Sequence, residues 1–137
     1  MITDALNWIL TGPAGAAVTG IIGAQNNTGV FAGQAPSGQS NPYVVVEQIA
    51  GESEQTLDGP TGRQYVRFKF SCYGKFTESK QLARAVRQAL ERFTGLCPDG
   101  TQFDNAQTVL EGDTFESAPY QYVTSPELAI TYVDPTF

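Results

Sequence analysis

Residues 63–93 constrain the fold most in this chain of 137 residues, because a strand pattern is followed there by a helix pattern. Residues 64–73 alternate between apolar and polar side chains, which predicts a half-buried antiparallel strand. The predicted buried face is Val66, Phe68, Phe70 and Cys72, and the opposite face is Tyr65, Arg67, Lys69, Ser71 and Tyr73. An amphipathic helix is predicted over residues 78–94. We therefore expect a sheet that is covered by this helix.

The helix pattern has an apolar stripe and a charged side. The stripe consists of Leu82, Ala83, Val86, Ala89, Leu90 and Phe93, which is wide enough to cover a sheet. Thr77 is the predicted N-cap and Gly95 the predicted C′ residue. Arg87 and Glu91 are four residues apart on the charged side, so we expect an ion pair between them.

The remaining patterns predict one more helix and three more strands. The helix covers residues 3–11 and ends at Gly12-Pro13. The strands cover residues 43–50, residues 108–116 with a turn or bulge at Gly112-Asp113, and residues 128–133, and Tyr120 and Tyr122 fall in a connection. Strand 43–50 is expected to form a hairpin with strand 64–73. The order helix, loop, strand, strand, helix, strand, strand predicts a single α+β domain over residues 1–137. It has two layers, with a mainly antiparallel sheet of about four strands and helices on one face.

Two segments of this domain have the composition of connections. Residues 12–41 contain half of the 14 glycines and no charged residue, which predicts an irregular connection with a short helix near residues 14–22. Residues 51–62 are predicted to be a loop at the tip of the hairpin. Twelve residues are more than a hairpin needs, so we expect this loop to contact something outside the fold. Its candidate partner- or channel-facing residues are Glu52, Glu54, Asp58 and Pro60.

Charge is distributed unevenly along the chain. The net charge is −6, yet all eight basic residues lie within residues 63–92, together with only two of the 14 acids. That stretch has a balance of 8 − 2 = +6, and the rest of the chain carries 12 acids and no base. A basic face on an acidic protein can attract further copies of the same protein. Arg67, Lys69, Arg84 and Arg87 are the candidate subunit-interface residues, and a solvated helix face opposite acidic loops is the alternative.

The sequence offers no pattern for catalysis, a cofactor or a metal. It has no histidine, which removes the usual general base and the usual metal ligand. The carboxylates from Glu47 to Asp58 lack the spacing of a known cation loop. Cys72 and Cys97 do not form a disulfide framework, and Cys72 is predicted to be a buried thiol.

The same composition also indicates where the protein assembles and which partners it is expected to bind. No stretch reaches the ~20 apolar residues that span a bilayer, and no signal peptide is recognisable, so we expect no membrane partner and assembly in a cytoplasm. The net charge argues against general nucleic-acid binding. Arg67 and Lys69 with Tyr65 and Tyr73 nevertheless form a basic strand face with interleaved aromatics, a weak pattern for a single-strand platform.

The order and spacing of several segments resemble the tail-completion, or tail-terminator, family of long-tailed phages and phage-like gene-transfer particles. The resemblance covers about residues 2–133 and is strongest over residues 42–95. Its segments are Ala35-Pro36, residues 42–46, the loop 51–62, the strand 66–73, the helix 80–90, residues 109–113 and the closing strand. The sequence departs from the family in residues 12–41 and around residues 119–126.

The resemblance implies a structural virion protein without catalytic residues. Such a protein forms a ring, usually a hexamer, at the head-proximal end of the tail tube, where it stops tube polymerisation and meets the head connector. Its implied partners are further copies of itself, the tail tube protein and the connector or stopper protein, while DNA only passes through the channel. The implied location is the tail or neck of a virion that assembles in the host bacterial cytoplasm. The alternatives are another neck or tail component, such as a connector stopper or a tube subunit, and a nucleic-acid-binding module that uses Arg67 and Lys69.

Overall fold

The computed structural model describes residues 2–23, 29–34, 42–56, 59–98, 100–117 and 120–133. In these ranges three α-helices pack against a six-stranded sheet. The helices are α1 (Ile2–Thr11), α2 (Ala16–Ile22) and α3 (Phe76–Arg92). The strands are β1 (Val30–Ala32), β2 (Tyr43–Thr56), β3 (Gly59–Gly74), β4 (Gly95–Leu96), β5 (Gln102–Ser117) and β6 (Tyr120–Val133). The α+β class is confirmed, but the sheet has six strands rather than about four.

The strands lie in the order β1-β2-β3-β6-β5-β4. Only β1 and β2 pair in parallel, and every other neighbouring pair is antiparallel. The predicted hairpin of β2 and β3 is therefore confirmed. A second hairpin joins β5 and β6, and β6 pairs with β3, so the two hairpins form one sheet through their inner strands.

The core fills the space between the helices and one face of this sheet. Its largest fully buried side chains are Leu6, Ile9, Leu10, Val18, Val44, Phe68, Phe70, Leu82, Leu90, Phe103, Leu128 and Ile130. The predicted inward residues of β3 are all buried, as are all residues of the predicted helix stripe except the partly buried Phe93. Each fully buried large side chain contributes about 1.5–3 kcal/mol, so this layer dominates the stability.

The helix ends differ from the sequence predictions. The N-cap of α3 is Lys75, whose N–H donates to Glu78 Oε1 at 3.3 Å, so the prediction of Thr77 as N-cap is wrong. The C-cap is Phe93, and Gly95 is instead the first residue of β4. After β4, Gly100 N–H donates to the carbonyl oxygen of Cys97 at 2.9 Å.

A tight turn lets α2 fold back against α1. Residues Pro13–Gly15 form one turn of 3-10 helix, and Gly15 N–H donates to the carbonyl oxygen of Gly12 at 3.0 Å. A Cβ at Gly15 would lie 2.1 Å from the Leu10 carbonyl oxygen, so only glycine fits there. No single described helix is long and apolar enough to cross a membrane. The bent pair Ala5–Thr11 and Ala16–Ile22, at 74° to each other, passes that test only jointly, by length and composition.

The glycine-rich connection contains a strand that the sequence pattern does not predict. Strand β1 continues the sheet beyond β2, where Val44 N–H donates to the Gly29 carbonyl and Gly33 N–H to the Val46 carbonyl, each at 2.8 Å. Three residues are too few for a periodic signal, so the irregular connection predicted for residues 12–41 is wrong at β1, whereas the short helix predicted near residues 14–22 is confirmed by α2. Residues 24–28 and 35–41 lie outside the described residues.

Both hairpins are longer than predicted. Strands β2 and β3 pair as far as Thr56↔Gly59, so most of the predicted 51–62 loop is a two-stranded ribbon. Strand β5 is likewise continuous through Gly112-Asp113, and β6 already begins at Tyr120, so Tyr120 and Tyr122 lie in a strand. An alternation of apolar and polar residues marks only strands with one buried face. The extensions of the two hairpins are paired through backbone hydrogen bonds instead, so the alternation does not predict them.

Candidate subunit-interaction surfaces

The predicted basic face on β3 is balanced by carboxylates of the same chain. Arg67 and Lys69 lie on the face of β3 opposite the helices. Arg67 Nε lies 3.8 Å from Glu127 Oε1 on β6. Lys69 lies directly between Glu47 on β2 and Glu127 in the sheet register. Around Arg67 and Lys69, this face therefore carries Glu47 and Glu127 beside the two bases and is not a positive stripe.

The aromatic residues of the same face also differ from a nucleic-acid platform. The Tyr73 ring stacks on Tyr43, with centroids 4.6 Å apart and an interplanar angle of 11°. One face of the Tyr73 ring is therefore already occupied and does not accept a base there. Together with the balanced charges, this arrangement disfavours the nucleic-acid alternative.

Three polar contacts join α3 to β5, and we call them the polar seam. Lys80 donates to Asp113, Arg87 Nε lies 3.5 Å from Glu111 Oε1, and the Thr108 hydroxyl donates to Glu91. The predicted Arg87–Glu91 pair is therefore wrong, because each of the two side chains faces β5 instead. The hydrogen bond from Lys80 holds the pKa of Asp113 below its ordinary value.

Much of the positive charge of residues 63–92 is balanced by carboxylates of the same chain. Arg63 NH1 lies 3.1 Å from Asp104 Oδ2, and with the pairs of Arg67, Lys80 and Arg87 this makes four bases that pair with acids of β5 or β6. Sequence reasoning missed these pairs because the partners are far apart along the chain. Only the strand order β3-β6-β5 and the helix above it bring them together.

Arg84, the remaining predicted interface residue, lies exposed on α3. It forms a row with Gln88 and the exposed Arg92 at four-residue spacing on one side of the helix. Beside this row a shallow groove between α2 and α3 is lined by Ala17, Ala85, Gln88, Ala89, Arg92, Phe93 and Thr94. In the described part of the chain, Arg84 has no carboxylate partner within ion-pair distance.

The two hairpins extend at opposite ends of the sheet. Pairing between β3 and β6 runs from Arg63↔Val133 to Gly74↔Tyr122. Beyond the first pair, the β2–β3 ribbon is the described part of the sheet that continues, to Gly59, which is a further ~14 Å at ~3.4 Å per residue. Beyond the second pair, the β5–β6 hairpin continues to Ser117↔Tyr120.

The predicted partner-facing residues map onto the β2–β3 ribbon. Glu52 and Glu54 lie on its β2 arm and Pro60 on its β3 arm, where Gln55 pairs with Pro60. Asp58 lies outside the described residues. The prediction that this segment contacts a partner is not tested by the isolated subunit.

One exposed aromatic pair was missed by sequence reasoning. Phe76, the first residue of α3, packs edge-on against Tyr122 of β6 with centroids 5.1 Å apart, and both side chains are exposed. The pair lies at the end of the sheet where the β5–β6 hairpin turns. Because Tyr122 was predicted in a connection, no sequence signal placed it next to the helix.

Among the described side chains, no group of three or more Cys, Asp or Glu residues is placed to hold a metal ion. Cys72 and Cys97 are buried and are not joined in a disulfide, and burial raises the pKa of Cys72. The candidate surfaces among the described residues are the two hairpin ends and the exposed row on α3.

Comparisons with known proteins agree with this picture. The model of the family "Tail completion protein gp17" matches residues 13–123. No curated protein matches the chain. Among solved structures, a chain from the virion of a native gene transfer agent (GTA) particle has the same fold, with a TM-score of 0.72 and 15% sequence identity. The superposition covers 97% of this chain and 95% of that chain. The family resemblance read from the sequence is thus confirmed: the chain belongs to the tail completion protein gp17 family, as a structural protein of the tail or neck of a phage-like particle.

Proposed function

We propose that the protein forms a ring that caps the head-proximal end of the tail tube, ends tube polymerisation and joins the tail to the head connector. The observation that carries this proposal is the placement of the two hairpins at opposite ends of the sheet of a tail completion protein. A subunit with paired strands extending at both ends suits an adaptor that contacts one component on each side. Six copies is the ring number that the family resemblance implies, and the virion neck is the proposed location.

The proposed partners are further copies of the chain, the tail tube protein and the connector or stopper protein. The four predicted interface residues, Arg67, Lys69, Arg84 and Arg87, stay as proposed contacts with a neighbouring copy. Arg67 and Arg87 also pair with Glu127 and Glu111 of their own chain. A net charge of −6 also suits a channel through which DNA passes without being held.

The length of the tail tube tests the capping role. Tubes should be assembled from purified tube protein with and without the added protein and then measured by electron microscopy. With the added protein we expect tubes of uniform length that attach to heads. Without it we expect overlong tubes that carry no heads. Equal tube lengths in both cases would contradict the proposal. Long tubes formed by the protein alone would identify it as a tube subunit instead.

The β2–β3 ribbon is tested by shortening it. Replacing residues 54–63 by Asn-Gly closes the hairpin directly after the Ser53↔Gln64 pair with a favourable two-residue turn. We expect a folded subunit that fails at one of its two joints, which would leave either uncapped tubes or capped tails without heads. The variant Arg63→Ala is the matched control, because it removes the Asp104 ion pair that the shortening also removes.

A further inference from the structure

We infer, on the basis of the proposed ring, that neighbouring copies join through their sheets, with the free edge of β5 in one copy pairing antiparallel with the free edge of β2 in the next. The proposed partner of each edge is thus a second copy of this chain. The ring would then contain one sheet that continues from subunit to subunit.

The β5 edge is open over most of its length. Strand β4 pairs with only two residues of β5, Gln102 and Phe103, and the Thr94 hydroxyl donates to the Asp104 carbonyl oxygen at 3.2 Å. Beyond Asp104, no described strand lies on this side of β5. Unpaired backbone groups along such an edge are a template for another strand.

The β2 edge is open in the same way. Strand β1 pairs with Val44, Val45 and Val46, and the Gly33 N–H bond to Val46 is the last contact of this kind. From Glu47 onward, no described strand lies on the outer side of β2. One subunit therefore presents two different free edges, which is what a closed ring with head-to-tail contacts requires.

The strand directions fit this arrangement. Three antiparallel pairings separate β2 from β5, so the two strands run in opposite directions in one subunit. All copies in a ring have the same orientation along the ring axis. The β5 edge of one copy therefore meets the β2 edge of the next in the antiparallel sense, as in the rest of the sheet.

Exposed aliphatic side chains lie close to one row of the sheet on the two edges. Ile49 lies in a register shift of β2 and is 47% exposed. Val109 and Leu110 lie at a register shift of β5 and are 42% and 56% exposed. The register Gln48↔Phe68↔Leu128↔Thr108 forms one row across the sheet, and the two irregularities flank this row, Ile49 on its Arg67 side and Val109 on its Lys69 side. Adjacent copies whose strands follow the ring axis would bury these aliphatic groups against each other.

Repulsion between the acidic β5 and β2 edges of neighbouring copies is weaker than the acidic composition suggests. Glu111 and Asp113 on β5 pair with Arg87 and Lys80 of their own chain. Glu47 on β2 lies opposite Lys69 in the register. The polar seam therefore also serves to neutralise an edge that would otherwise repel the acidic β2 edge of a neighbouring copy.

Thiol crosslinking tests the inferred contact. The variant with both Ile49→Cys and Leu110→Cys should be assembled with tail tubes and treated with a short bis-maleimide. Cys72 and Cys97 stay in place because both are buried. We expect a ladder of covalent multimers that ends at the ring number, while each single variant gives monomers. The pair Ile49→Cys with Gln81→Cys is the control, because Gln81 lies exposed on the helix and not on an edge.

The outcomes separate this inference from the capping role. No ladder from the double variant on tubes of normal, capped length would overturn edge pairing and leave the proposed function standing. A ladder accompanied by tubes of uncontrolled length would support edge pairing and overturn the capping role. As a second variant, Leu110→Lys places a charge on the edge and should reduce ring assembly at least tenfold, whereas Gln81→Lys on exposed α3 should not. Equal assembly of the two variants would contradict edge pairing.

Discussion

Arg87 on α3 and Glu111 on β5 form an ion pair with an Nε–Oε1 distance of 3.5 Å, and the two side chains are 34% and 36% exposed. The pair is the middle contact of the polar seam, between Lys80–Asp113 and Glu91–Thr108. The seam runs along the margin of the apolar layer, where α3 reaches β5. Strand β5 is thus held to the helix by polar contacts where its apolar pattern ends.

The contribution of this pair can be measured with a double-mutant cycle. Arg87→Met, Glu111→Gln and the double variant should be unfolded with urea at low salt. We expect a coupling free energy of about 0.2–1 kcal/mol that shrinks at high salt, because both groups are partly exposed and therefore screened. Strict additivity of the two single changes at low salt would show that the pair contributes nothing.

Asp113 is expected to make stability depend on pH in the acid range. Its pKa in the folded protein is lowered from the ordinary 3.8, chiefly by the hydrogen bond from Lys80. A lowered pKa stabilises the charged form, so the contribution is present above pH 3.8 and is lost as the pH falls through the lowered pKa. Lys80→Met should move the pKa of Asp113 upward in an NMR titration of the carboxyl group. An unchanged pKa in that variant would contradict the assignment to Lys80.

Two glycine substitutions should change the stability in opposite directions. Gly15→Ala places a Cβ 2.1 Å from the Leu10 carbonyl oxygen, so we expect a loss of about 2 kcal/mol or more from the displaced turn. At Gly20, within α2, a Cβ would meet no atom within 4 Å, so Gly20→Ala should add about 0.5–1 kcal/mol through helix propensity. The melting temperatures of the two variants provide the comparison, and a stable Gly15→Ala protein would show that the turn can move.

The sequence predicted the fold wherever burial is periodic. Strand β3 alternates cleanly and α3 has a continuous apolar stripe, and both were placed within a few residues of their bounds. The predictions failed where pairing does not depend on burial. The β2–β3 ribbon extends beyond the helices, β1 has three residues, and the register shifts at Phe103/Asn105 and Thr108/Leu110 interrupt the alternation of β5.

The candidate surfaces were harder to predict because they depend on contacts between distant segments. The clustering of all bases in residues 63–92 predicts an intersubunit surface, and this stays a prediction. It did not reveal that Arg67 and Arg87 have partners in β6 and β5, which only the strand order brings near. Ile49 and Leu110 carry no sequence signal as a pair, since their placement on either side of one row follows from the register of four strands.

The two native cysteines should be unreactive in the folded subunit. Cys72 is fully buried, and burial raises its pKa far above the ordinary 9.0, with a smaller effect from Glu111. The thiolate that attacks a maleimide is therefore not formed in the folded state at neutral pH. The raised pKa also means that the unfolding free energy should fall as the pH rises above 9.0, because only the unfolded chain then loses this proton. Mass spectrometry after maleimide treatment should show no native modification and two additions in urea. The Ile49→Cys variant should gain one addition at once, and rapid labelling of the unsubstituted protein would show that the layer between α3 and the sheet opens readily.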